Sequence, residues 1–162
     1  MNNIVENLII KKLKEVVNGN DTSYVCGSVL KPGTDECDLT DNCGSVYGFA
    51  IKIENETDKH ELFEAANKNG DIKEGIDEKS WNPIDDSYYP LYWGKDKYMG
   101  ARINAHMNNY KSTGTIQLNM KKYLRNRDII FGIIQCSDYE KYETKIRDKY
   151  PDIFRGKSDS NK

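Results

Sequence analysis

The chain has 162 residues, 37% hydrophobic and 31% charged, with a net charge of −2, which describes a soluble globular protein with one domain over residues 1–157. No apolar run approaches the ~20 residues a membrane span needs. The start, MNNIVENLIIKKLKEVV, has an acid early, lysines late and no cleavage site, so a secretory signal is excluded and a cytoplasmic location is expected.

In chain order, residues 4–17 read as an amphipathic helix with Ile4, Leu8, Leu13 and Val17 on one face and Gly19 as its stop. SYVCGSVL, Ser23 to Leu30, is a strand ended by Pro32-Gly33, and Thr34 to Gly44 is an acidic, turn-rich loop. VYGFAIKI, Val46 to Ile53, is dense in β-branched and aromatic residues and reads as a strand. A helix over Asp58 to Lys68 follows, capped by Thr57 and stopped by Asn69-Gly70. After a polar stretch, YYPLYWG returns to strand, with Pro90 marking an edge or entry point.

Residues 97–109 predict a helix with Met99, Ile103 and Met107 inward, and TGTIQL is a short strand or loop. Asp128 to Cys136 is a buried strand. The last helix opens on a Ser137–Glu140 capping box, buries Tyr139, Tyr142, Ile146 and Tyr150, and stops at Pro151. A disordered tail is expected over residues 158–162. Mixed strands and helices give an α+β fold, a small mixed or antiparallel sheet flanked by helices. Cys26, Cys37, Cys43 and Cys136 include no C-x-x-C pair, so they read as small buried or loop residues rather than zinc ligands.

The charge is unevenly distributed. Lys95 to Arg127 holds eight basic residues and one acid, a balance of +7, whereas Thr34 to Pro90 holds fifteen acids and five lysines, a balance of −10. A locally positive face suits a phosphate backbone. Lys97 and the run KKYLRNR, with Lys121, Lys122, Arg125 and Arg127, are the candidates for backbone contacts.

The chemistry concentrates in YWGKDKYMGARINAH, Tyr92 to His106. Tyr92 ends a strand, Gly94 permits a turn, and Arg102 and His106 share one helical face at i and i+4. A phenol, a fixed cation and an imidazole are thereby gathered around a small volume. Phosphodiester hydrolysis needs a proton acceptor for water and a cation for charge on the phosphoryl oxygens.

At these residues the chain resembles the GIY-YIG nuclease family. YWG is similar to the second signature, Arg102 follows the tyrosine at the family's interval, and His106 matches a histidine seen in part of the family. SVYGF, Ser45 to Phe49, is similar to the first signature, with Ser-Val-Tyr in place of Gly-Ile-Tyr. The resemblance implies that Tyr47 and Tyr92 pair on adjacent strands, with Tyr47 taking the proton from water and Arg102 stabilising the developing charge. Glu143 would hold one Mg²⁺ (or Mn²⁺) ion. Residues 54–88 stand as an acidic insertion where the family has a short hairpin, and Arg155 stands where an asparagine is usual. A phenol with a pKa near 10 is only about 0.1% ionised at pH 7, so Lys95 is expected to assist by lowering it or by gripping a phosphate.

The resemblance implies a metal-dependent DNA endonuclease of restriction or phage-defence type acting on duplex DNA, with a homodimer a compatible arrangement. The alternatives are a non-cleaving nucleic-acid-binding module on the same fold and an interaction protein that works through its acidic insertion.

Overall fold

Two strands with covered faces set the centre of the molecule. The computed structural model describes residues 6–17, 23–28, 44–85, 87–96 and 121–155. Strand β2 (Ser45–Lys52) is buried over all but its last residue. It pairs with β3 (Tyr88–Asp96) on one side and β4 (Ile129–Gln135) on the other, and β1 (Tyr24–Ser28) lies outside β4. The order is β1-β4-β2-β3 and every pairing is antiparallel, so this is an α+β fold.

The pleat sends alternate β2 side chains to opposite layers. Val46 and Ala50 meet helices α1 (Leu8–Val16) and α3 (Tyr139–Lys149) through Ile9, Leu13, Tyr142 and Ile146. Tyr47, Phe49 and Ile51 meet helix α2 (Glu56–Lys68) through Leu62, Phe63 and Ala66, together with Trp81 and Phe154. The acidic insertion over residues 54–88 therefore supplies much of one core layer rather than an appendage. Trp81 anchors it: 1% exposed, it donates its indole N–H to the Pro90 carbonyl at 2.7 Å.

Helix boundaries depart from the sequence reading for local reasons. Helix α2 begins at Glu56, because extended Asn55, not Thr57, accepts the Asp58 amide at 2.8 Å. Helix α3 begins at Tyr139 with Asp138 at the cap position and no side-chain cap bond, so the Ser137–Glu140 box does not form. In α1 the buried face is Ile9, Ile10 and Leu13, shifted from the stripe expected through Leu8. Asn7 fixes that rotation by accepting the Ile10 amide at 3.1 Å and donating to the Phe131 carbonyl at 2.7 Å.

Strand β3 is an edge, as Pro90 indicated, and it carries a bulge. Phe49 faces Tyr92 but Ala50 faces Pro90, leaving Leu91 as the extra residue. The Leu91 carbonyl turns outward and accepts the Phe154 amide at 3.0 Å, so residues after α3 cover this edge. No described helix is long and apolar enough to cross a membrane. The helix expected over residues 97–109, the TGTIQL segment, Cys37, Cys43 and the tail lie outside the described residues.

Candidate active site

The β2–β3 register places Tyr47 opposite Gly94 and Phe49 opposite Tyr92, so all four positions share one face. A Cβ on Gly94 would overlap the Cζ and Oη atoms of Tyr47. The missing side chain is thus what lets the Tyr47 ring lie flat across β3. The two phenol rings come within 6.5 Å, centroid to centroid, at a 39° tilt. Tyr47 also meets Phe49 edge-on at 6.2 Å and is 1% exposed, whereas Tyr92 is half-buried.

Arg147 connects this pair to α3. Its guanidinium carbon lies 5.8 Å from the Tyr92 ring centroid, and its Nη1 donates to Glu143 Oε1 at 2.8 Å. Nη2 donates to the Trp93 carbonyl on the outer edge of β3. Nε is buried without a hydrogen bond, 3.5 Å from Asp152 Oδ2. Burial opposes the guanidinium charge, but Asp152, Glu143 and Tyr92 outweigh it and raise its pKa. Asp152, wholly buried, also accepts the Trp93 amide at 2.7 Å and an ammonium hydrogen of Lys73.

Tyr47, Tyr92 and Glu143 are thus joined through consecutive contacts, with Arg147 as the link. Glu143 and Arg147 stand four apart on α3, and the ion pair that this spacing permits forms. That spacing was the available signal; the reach of Arg147 to Trp93 and Tyr92 depends on how α3 crosses the sheet edge. Asp152 and Lys73 carried no signal in the sequence. Lys95 lies 3.7 Å from Glu140, an exposed pair with little energetic weight. Arg102, His106 and Lys97 lie outside the described residues.

The basic run divides in two. Lys121 bonds Asp71 at 2.9 Å and lies over the Phe154 ring at 5.3 Å. Arg127 grips Asp58 with both terminal nitrogens, at 2.7 and 2.9 Å, and reaches the Lys52 carbonyl at 3.0 Å. Both cations therefore pin the chain before β4 to the insertion. Lys122 and Arg125 remain exposed. An open cavity of about 590 Å³ lies at the far end of β2, beside Asp58 and Arg127, and neither tyrosine nor Glu143 lines it.

Glu143 Oε1 is held by Arg147, and no bond to Oε2 occurs among the described residues. A single carboxylate suits a hard ion that keeps most of its water, such as Mg²⁺, so the residue fits that role. The group of three or more metal-ligating side chains among the described residues lies elsewhere: His60, Glu64 and Glu78, with ligand atoms within 4.8 Å of one another. No family model, curated protein or solved structure matches the chain.

Proposed function

We propose that the chain is a metal-dependent DNA endonuclease of the GIY-YIG type, working in the cytoplasm in restriction or phage defence. The observation that carries the reading is the side-by-side setting of Tyr47 and Tyr92 on adjacent strands, with Glu143 held at the same strand edge by Arg147.

In this reading Tyr47 accepts the proton of the attacking water and Tyr92 holds that water in line. Glu143 would hold Mg²⁺ or Mn²⁺, which supplies charge neutralisation for the scissile phosphate and the departing oxygen. Arg102 stabilises charge developing on the non-bridging oxygens, and His106 and Lys95 support the tyrosines. Arg147 fixes the Glu143 rotamer before the substrate arrives. Lys122 and Arg125, exposed before β4, contact the DNA backbone, with Lys97 as a further candidate.

Incubation of supercoiled plasmid with Mg²⁺ or Mn²⁺ tests this. Nicking is expected from the unaltered chain, with loss of at least about 100-fold in Glu143→Ala and in Tyr47→Phe. Circular dichroism of both variants should match the parent. No nicking by the parent under either metal rejects the reading.

A second reading has an observation in its favour. Tyr47 is 1% exposed and one Glu143 oxygen is engaged by Arg147, which suits a module that binds nucleic acid without cutting it. Salt-sensitive DNA binding with no nicking by the parent chain would select it.

A further inference from the structure

Away from the tyrosines, helix α2 and the short 3₁₀ turn Glu78–Ser80 bring together an imidazole and two carboxylates. His60 and Glu64 stand one helical turn apart on α2, so both side chains leave the same face. Glu78 reaches them from the 3₁₀ turn, with its Oε1 at 2.8 Å from His60 Nδ1. One ligand atom from each residue lies within 4.8 Å of the other two.

We propose that His60, Glu64 and Glu78 form a binding site for a divalent first-row transition ion of the Zn²⁺ class, which ties α2 to the turn preceding Trp81.

Three observations support this assignment. First, the charge is not paired off: neither carboxylate forms an ion pair with a lysine or arginine among the described residues, and Glu78 pairs with His60. Even with His60 protonated the trio carries a net −1, and with it neutral −2. Second, the distances suit one ion. Bonds of about 2.1 Å allow ligand atoms up to about 4 Å apart, so the widest separation must close by under about 1 Å. Glu64 is exposed and can turn to supply that movement. Third, the donor set selects the ion class. Imidazole nitrogen with carboxylate oxygens suits Zn²⁺, Ni²⁺ or Mn²⁺, whereas an all-oxygen site would suit Mg²⁺ or Ca²⁺.

The site is distinct from Glu143 and its occupancy does not depend on nuclease activity. A bound ion would clamp the helix whose Phe63 packs against Trp81, with rings 6.3 Å apart, to the turn that leads into Trp81. The insertion would then carry its own staple.

The chain has two histidines, so the imidazole ¹H–¹⁵N spectrum of the full chain is assigned with the single variant His106→Gln. Titration with Zn²⁺ in excess Mg²⁺ is expected to shift the His60 ring nitrogens to saturation at one equivalent. Glu64→Gln and Glu78→Gln should each weaken that binding by about tenfold or more, and both positions lie at the surface of the fold, where glutamine is tolerated. Lower pH should weaken it as well, because the proton competes with the ion for the imidazole nitrogen. Unmoved His60 resonances while Zn²⁺ binds elsewhere, or equal affinity in the two glutamine variants, would overturn the assignment.

Discussion

Two aromatic rings each lie over a glycine of the neighbouring strand. Tyr47 covers Gly94 on one face, and Trp93 covers Gly48 on the other. Gly94→Ala should push the Tyr47 ring aside, at a cost of about 1–3 kcal/mol in urea unfolding, and should reduce nicking because the displaced ring is the proposed proton acceptor. Asp71 gives a second test at this scale. Burial alone would raise its carboxyl pKa, but Lys121, Tyr123 and Asn69 together hold it below the usual value. A carboxylate with a lowered folded pKa stabilises above its unfolded pKa of about 3.9, and that stabilisation is lost as pH falls through the folded value. Asp71→Asn should therefore cost about 1–3 kcal/mol at neutral pH, with the gap to the parent closing below about pH 4. Tyr123, on the same carboxylate, has its own pKa pushed up by burial and then by Asp71.

At the scale of elements, the junction of β3, α3 and the strand-covering segment turns on one carboxylate. Asp152→Ala would strand the Trp93 amide and leave the Lys73 and Arg147 charges without their shared partner. Thermal unfolding should show a loss of about 3–5 kcal/mol, with Asp152→Asn losing less. Elements with a strong local pattern were legible beforehand. Strands β2, β3 and β4 declared themselves through runs such as VYGFAIKI and DIIFGIIQC, and α2 through its polar length and Asn69-Gly70 stop. The cap positions lie one or two residues from those the sequence favours, because Ser, Thr, Asn and Asp cluster at both helix starts and only backbone conformation decides among them. The tyrosine pair was legible from two short motifs. Arg147's bridging role and Asp152 were not, since contacts across 54 to 59 positions leave no periodic trace.

For the molecule as a whole, the charge asymmetry along the chain is partly cancelled in space. Lys121 and Arg127, counted in the basic stretch, pair with Asp71 and Asp58 of the acidic one. The Arg127 guanidinium in turn holds the Asp58 pKa low, ahead of the opposing effect of burial. The two halves of that run should therefore fail differently on mutation. Lys122→Ala and Arg125→Ala should weaken DNA binding and reduce its salt slope by about 0.9 for each phosphate that is no longer neutralised, leaving thermal stability near that of the parent. Arg127→Ala should lower the melting temperature first, since it releases Asp58 and the Lys52 carbonyl from within the fold.

The outward carbonyl of Leu91 and amide of Trp93 have a consequence for how the chain must be cut or fused. Both are answered by residues 152–154, a stretch only a few residues long. Shortening the polypeptide to the end of α3 would bare that rim of the sheet, and its exposed peptide groups would seek the same rim on another copy. Self-association and loss of solubility, rather than simple unfolding, would be the first sign that this short seal had been removed.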